Sequence, residues 1–160
     1  MPDVDPPRFR QLLGRFATGV AVVTARTEDG RDVGMTANSV SSVSLVPPLV
    51  AVNVDRTADL HAVLENASRW VVNILAADQE ELSRRFAVRG PERFEGIGHR
   101  RGTGGIAILD GIVAHLECER WAAYAGGDHT IFVGRLTGGD PGEGSPLLYF
   151  RGGYTTLGRG

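Results

Sequence analysis

Ile112-Val113-Ala114-His115-Leu116-Glu117-Cys118-Glu119 decides the fold. Ile112, Ala114, Leu116 and Cys118 alternate with Val113, His115, Glu117 and Glu119, and this period of two predicts a half-buried antiparallel strand. The turn Ala125-Gly126-Gly127-Asp128 follows, and His129 to Thr137 returns as the partner strand. Upstream, the turn Glu28-Asp29-Gly30-Arg31 joins strands expected at 20–24 and 33–37. Leu49 to Val54 and Trp70 to Leu75 read as two further strands, and Leu147 to Phe150 as a last short one.

Helices punctuate this pattern. After Asp5-Pro6-Pro7, the residues Phe9, Leu12, Leu13 and Phe16 recur at helical spacing, and Gly19 is expected to end that helix. Thr57 is expected to cap a second helix carrying Leu60, Val63, Leu64 and Ala67 on one face. Asp78 and Glu81 have the spacing of a capping box, opening a third helix with Leu82 and Phe86 inward. Residues 88–105 read as an exposed loop of arginines and glycines, and 38–44 as a stretch of small hydroxyl residues. No repeat or linker divides the chain. The expectation is one domain over 1–160, mainly β with peripheral helices: an antiparallel, Greek-key-like barrel rather than a doubly wound sheet.

Composition narrows the function. The chain has 160 residues with 42% hydrophobic and 22% charged, enough for a full core without disulfides. Its formal net charge of −2 argues against a nucleic-acid partner. All 17 basic side chains are arginine, so a Schiff-base or phosphate-loop lysine is excluded. The single cysteine, Cys118, sits on the apolar face of its strand and reads as a small buried hydrophobe. No apolar run is long enough to cross a bilayer and the acidic start lacks a signal-peptide pattern, which gives no membrane and a cytoplasmic location as expectations.

Four segments could carry chemistry. In Gly34-Met35-Thr36-Ala37-Asn38-Ser39-Val40-Ser41-Ser42-Val43-Ser44, small side chains let a flat ligand approach backbone and hydroxyl donors. The same composition also suits a serine-rich loop that satisfies its own backbone. Asn53-Val54-Asp55-Arg56-Thr57 ends a strand before a helix, where an anion site and a simple helix cap are equally consistent. His129 follows a glycine turn and is the histidine best placed to face a cleft. His61, His99 and His115 read as surface residues, so no histidine-rich metal site is expected. Tyr149-Phe150-Arg151-Gly152-Gly153-Tyr154 offers aromatic faces and a guanidinium beside a turn, or a strand that covers the core. Gly96-Ile97-Gly98 lacks the third glycine and the βα setting of a dinucleotide fingerprint.

Together these segments resemble the short-chain flavin reductase family, the reductase components of two-component flavin-dependent monooxygenases. The resemblance runs from Phe9 to Leu157. It rests on Phe16-Ala17-Thr18-Gly19-Val20-Ala21-Val22-Val23-Thr24, on Gly34 to Leu45 followed by Pro47-Pro48-Leu49-Val50, on Gly127-Asp128-His129 leading to Phe132-Val133-Gly134-Arg135, and on Pro146 to Tyr154. The resemblance implies a flavin-binding split β-barrel working as a homodimer. It implies reduction of FMN or FAD by NADH or NADPH and delivery of reduced flavin to a monooxygenase component. Carried over by position, Thr36, Ala37, Asn38 and Ser39 would line the flavin ring, with Met35 and Ser44 as further cofactor-binding residues. Asn53, Val54, Asp55, Arg56 and Thr57 would hold the ribityl phosphate side, and Phe86 and Ala87 would border the flavin tail. Arg151 could meet a phosphate, while His129 and Tyr154 would face the nicotinamide. His129 is then the one side chain assigned to the reaction, in an orienting role, because hydride transfer asks the protein for alignment rather than for a general base. A split-barrel flavoprotein that carries FMN, or uses it as an oxidase without nicotinamide turnover, is the alternative.

Overall fold

A computed structural model describes residues 2–90 and 92–158. Met1, Pro91, Arg159 and Gly160 lie outside the described residues, and with them the extremes of the domain expected over 1–160 and one position of the 88–105 loop. The elements are α1 (Pro6–Leu13), β1 (Thr18–Gly19), β2 (Ala21–Arg26), β3 (Asp32–Ala37), β4 (Ser41–Leu45), β5 (Pro48–Asp55), α2 (Asp59–Asn66), β6 (Arg69–Ile74), α3 (Glu80–Ala87), β7 (His99–Arg101), β8 (Ala107–Leu109), β9 (Ala114–Gly126), β10 (His129–Pro141), β11 (Leu147–Phe150) and β12 (Gly153–Thr156).

Seven strands form one antiparallel sheet in the order β3-β2-β6-β9-β10-β5-β4. The β9–β10 hairpin is its spine, with His129 opposite Gly126. Gly127 takes φ +68° in the two-residue turn, a backbone conformation that needs glycine. A second sheet, β1-β11-β12, and the ribbon β7-β8 lie outside this order. The mainly β, antiparallel architecture with three helices agrees with the expectation.

Val20 to Val23 is a continuous apolar run because both faces of β2 are covered. Val23 joins Trp70, Val72, Leu64 and Phe132 in one buried cluster, while Val22 joins Leu75, Phe86, Leu109 and Leu147 in another. Trp70 meets Phe132 edge-on at 6.3 Å. The buried polar side chains between these layers are paired. Asn73 donates to the Val22 carbonyl and the Thr24 hydroxyl and accepts from the Leu109 amide, and Thr24 donates to the Ala107 carbonyl.

Several local expectations are corrected. The first helix ends at Leu13 with Gly14 as its cap, and Thr18–Gly19 instead pairs with β11. Among the described residues, none of the α1 side chains is buried, and its apolar stripe stays about half exposed. Thr57 does not cap α2: Ala58 holds that position without a side-chain bond, and Thr57 turns back to Asp55. The Asp78–Glu81 box does not form either. Gln79 occupies the cap position of α3, accepts from the Ala76 amide and donates to the Asp110 carbonyl. Part of the hydroxyl-rich stretch is strand β4. The 88–105 segment contains β7 and a 3-10 turn, and its Phe94 and Ile97 pack on the second cluster. A further strand, β12, follows the one expected to be last. His61 and His115 are buried and His99 is half-buried, against the surface reading of all three. The polar face of β9 is covered as well, since the Glu117 side chain keeps only 16% of its exposure.

Candidate functional site

β3 ends where the sheet's surface opens into two clefts. One, of 810 Å³, lies between β3 and its continuation (Met35 to Ser39), Asn53 and Asp55 on β5, the β9–β10 turn with His129, and Phe9 and Arg10 of α1. The other, of 410 Å³, is lined by Val20, Met35, Thr36, Asn38, Ala87, Tyr149 and Tyr154. Met35, Thr36 and Asn38 belong to both, so this short segment is the wall the two clefts share. Ala37 is buried behind it.

Each wall is held by specific bonds. The Ser39 hydroxyl donates to the Asn53 carbonyl (3.0 Å) and accepts from the Asn53 amide (3.2 Å), tying the end of β3 to β5 beyond the reach of β4. Gly34 allows β3 to lie against α3: a Cβ there would stand 2.8 Å from the Phe86 ring. Thr36 donates to the Ser83 carbonyl of α3 (2.6 Å), and the Ser83 hydroxyl meets the Tyr154 hydroxyl at 2.7 Å. Tyr154 stands edge-on to Tyr149 at 5.4 Å, with the Arg84 guanidinium 4.9 Å from its ring centre.

His129 starts β10 opposite Asp55 of β5, and its side chain keeps 41% exposure. Its Nδ1 is 2.7 Å from the Asp128 carboxylate. Asp55 accepts from the Thr57 amide (2.7 Å) and the Thr57 hydroxyl (2.8 Å). These bonds hold its carboxyl below the usual carboxylate range, with smaller help from His129 and Arg89 and against some desolvation. Arg89 donates to the Thr57 carbonyl and hydroxyl at 3.1 and 3.0 Å. A guanidinium therefore sits on the 53–57 segment.

The structure brings most of the sequence-derived candidates together. Met35, Thr36, Ala37, Asn38, Ser39, Asn53, Asp55 and His129 share the larger cleft, and Ala87 and Tyr154 line the smaller one. Others stand apart. The Val54 and Phe86 side chains are fully buried in the core. Ser44 is half-buried on β4 opposite Leu49, and Arg56 and Thr57 are exposed beyond the cleft linings. Arg151 occupies the β11–β12 turn at φ +53° with its guanidinium over Phe150. Sequence reasoning missed Ser83, which no local pattern distinguishes from other helix residues; it took Arg89 only as the start of the arginine loop 89–101, a segment that could shape the nucleotide tail site or the dimer surface, without singling out the residue. It also missed Phe9 and Arg10, which read as parts of an ordinary amphipathic helix. Cys118 is buried and burial pushes its thiol up to about 12, which leaves no reactive thiolate at neutral pH. Among the described residues, no helix is long and apolar enough to cross a membrane, and no three His, Cys, Asp or Glu side chains converge on a metal position.

The flavin reductase subunit HsaB of a flavin-dependent monooxygenase from Rhodococcus jostii is 39% identical over 155 residues, covering 96% of this chain and 79% of that protein. The NADH-dependent FMN reductase SmoA of Agrobacterium fabrum is 39% identical over 151 residues, covering 94% and 86%. The Streptomyces globisporus NADH:FAD oxidoreductase SgcE6, solved with NAD and FAD fragments, superposes with a TM-score of 0.91 at 36% identity, covering 99% of this chain and 98% of that one. The family model described as flavin reductase like domain matches residues 13–158, and the chain belongs to that family.

Proposed function

We propose that this protein is an NADH-dependent flavin reductase that reduces FMN or FAD and passes the reduced flavin to a monooxygenase component. The observation that carries the reading is the shared wall Met35–Asn38, open on one side to His129 and on the other to Tyr154. A bound flavin supplies the hydride-accepting ring. The protein's part is to hold two flat rings in register and to keep water from between them.

The residue roles follow from position. Met35 to Ser39 flank the ring, with Ala37 and Ser39 keeping the wall low. Asn53, Asp55, Arg56 and Thr57, with Arg89 donating to Thr57, form the side that takes the ribityl phosphate. Ala87 borders the flavin tail. His129 orients the nicotinamide: Nδ1 is committed to Asp128, which leaves Nε2 for the ligand. No general base is assigned. Val54 and Phe86 act by shaping the walls from the core, and Ser44 and Arg151, which stand apart from both clefts, are given no role.

The proposal includes a homodimer. Phe9, Leu12, Leu13 and Phe16 near the N-terminus, Leu45 and Val46 at the β4–β5 tip, and Trp121 and Tyr124 on β9 are large apolar side chains left exposed. Exposed apolar groups of this size on several elements suit burial against a second copy. The direct test is NADH oxidation by the purified protein with added FMN, FAD or riboflavin, repeated with NADPH. Oxidation that requires added flavin supports the reductase. Flavin binding without oxidation supports a carrier or an oxidase with another donor.

A further inference from the structure

We propose that Ser83 is a positioning residue for the flavin site: it fixes Tyr154 and Thr36 across the smaller cleft without lining that cleft itself. The inference rests on the reading that the flavin ring lies against the Met35–Ser39 wall, and it moves Tyr154, which the resemblance placed toward the nicotinamide, to the flavin side of that wall. Ser83 lies inside α3 with 0% exposure. It nevertheless bonds side chains from two different cleft walls. Its carbonyl accepts from the Thr36 hydroxyl of β3 at 2.6 Å, and its hydroxyl meets the Tyr154 hydroxyl of β12 at 2.7 Å. Thr36 is 47 residues away in sequence and Tyr154 is 71 away. One buried helical residue thus links the main sheet to the separate β1-β11-β12 sheet at the ligand-facing edge of both.

This bond determines what Tyr154 can offer. Its hydroxyl is engaged by Ser83, Arg84 covers its ring at 4.9 Å, and Tyr149 meets it edge-on at 5.4 Å. What remains for a ligand is the ring surface, not the phenol oxygen. The hydroxyl then serves to orient the ring, and it serves only while Ser83 is there to meet it. Tyr154→Phe and Ser83→Ala therefore remove the same interaction from opposite ends, whereas Tyr154→Ala removes the ring as well.

The experiment measures FMN and FAD dissociation constants by flavin fluorescence quenching, with steady-state kinetics and melting temperature alongside. The variants are Ser83→Ala, Tyr154→Phe, their double mutant and Tyr154→Ala. Ser83→Ala and Tyr154→Phe should each weaken flavin binding about five- to tenfold, the worth of one part-buried hydrogen bond. In Ser83→Ala the loss should fall on KM for flavin rather than on KM for NADH. The double mutant should match either single mutant, because the two side chains make one bond. Tyr154→Ala should be about tenfold weaker again. If Ser83→Ala fails to fold, Tyr154→Phe breaks the same bond from the partly exposed side and carries the test. A lowered melting temperature with unchanged flavin affinity in Ser83→Ala, or full multiplication of the two losses in the double mutant, would overturn the inference. Tyr154→Ala with unchanged affinity would instead remove the flavin from this wall and overturn the reading beneath it.

Discussion

His129 and Asp55 face each other across the β5–β10 ladder, and each has one commitment already made. The Asp128 carboxylate takes Nδ1 of His129, and Thr57 satisfies Asp55 through both its amide and its hydroxyl. For His129, the account expects His129→Ala to raise KM for NADH about five- to tenfold and to slow turnover, while the flavin dissociation constant stays within about twofold. Steady-state kinetics with fluorescence titration checks it; an unchanged KM for NADH would remove His129 from the nicotinamide side. For Asp55, the sign follows from its bonds. They are made to the charged form, so its folded pKa lies below the ordinary 3.8. Its stabilising contribution is therefore complete above that value and is lost as pH falls through the lower, folded one. Melting curves taken from about pH 5 down to about pH 3 should fall more steeply for wild type than for Asp55→Asn. Parallel curves would show that the Thr57 bonds add nothing.

At the level of elements, α3 decides whether the site keeps its shape. Phe86 is fully buried between β3 and the C-terminal strands and meets Phe94 edge-on at 5.0 Å, and one turn earlier Ser83 reaches Tyr154. Phe86→Ala should cost about 3–4 kcal/mol of unfolding free energy, read from denaturant melts. A cost under about 1 kcal/mol would mean that α3 packs loosely. The strands were legible in the sequence because their alternation and turns are local signals: Gly127-Asp128 and Asp29-Gly30 mark the β9–β10 and β2–β3 hairpins. The helix ends were not. Thr57 has the right chemistry for a cap, yet Asp55 two residues earlier competes for its amide and hydroxyl and wins. Asp78 and Glu81 have the right spacing, but the Gln79 side chain bridges Ala76 and Asp110, and that tertiary tie sets the start of α3. The burial of His61 also depends on a distant partner. Its ring reaches Thr130 on β10 at 2.7 Å and stands edge-on to Phe132, which no pattern within α2 announces.

For the whole molecule, the sheet order explains why residues far apart in sequence form one site. The ends of β3 and β5, the start of β10 and the β11–β12 hairpin meet around one segment, and the four motifs read from the sequence lie on those pieces. Arg89 could be placed in the arginine loop but not singled out, for the complementary reason: it reaches Thr57 across 32 residues from a loop with no periodic signal. The apolar stripe of α1 was legible as a stripe, and none of its side chains is buried among the described residues. A second copy would account for it. Sedimentation of the wild-type protein should give a dimer, and Phe16→Glu with Leu45→Glu, at side chains 75% and 86% exposed, should shift it toward monomer. A wild-type monomer at micromolar concentration would contradict the dimer.

The central claim is tested most directly by mixing the purified protein with NADH, with and without FMN or FAD, and following the loss of NADH absorbance. The account predicts rapid oxidation that depends on added flavin and on His129. No oxidation with either flavin, in a protein that binds flavin by fluorescence, would contradict it.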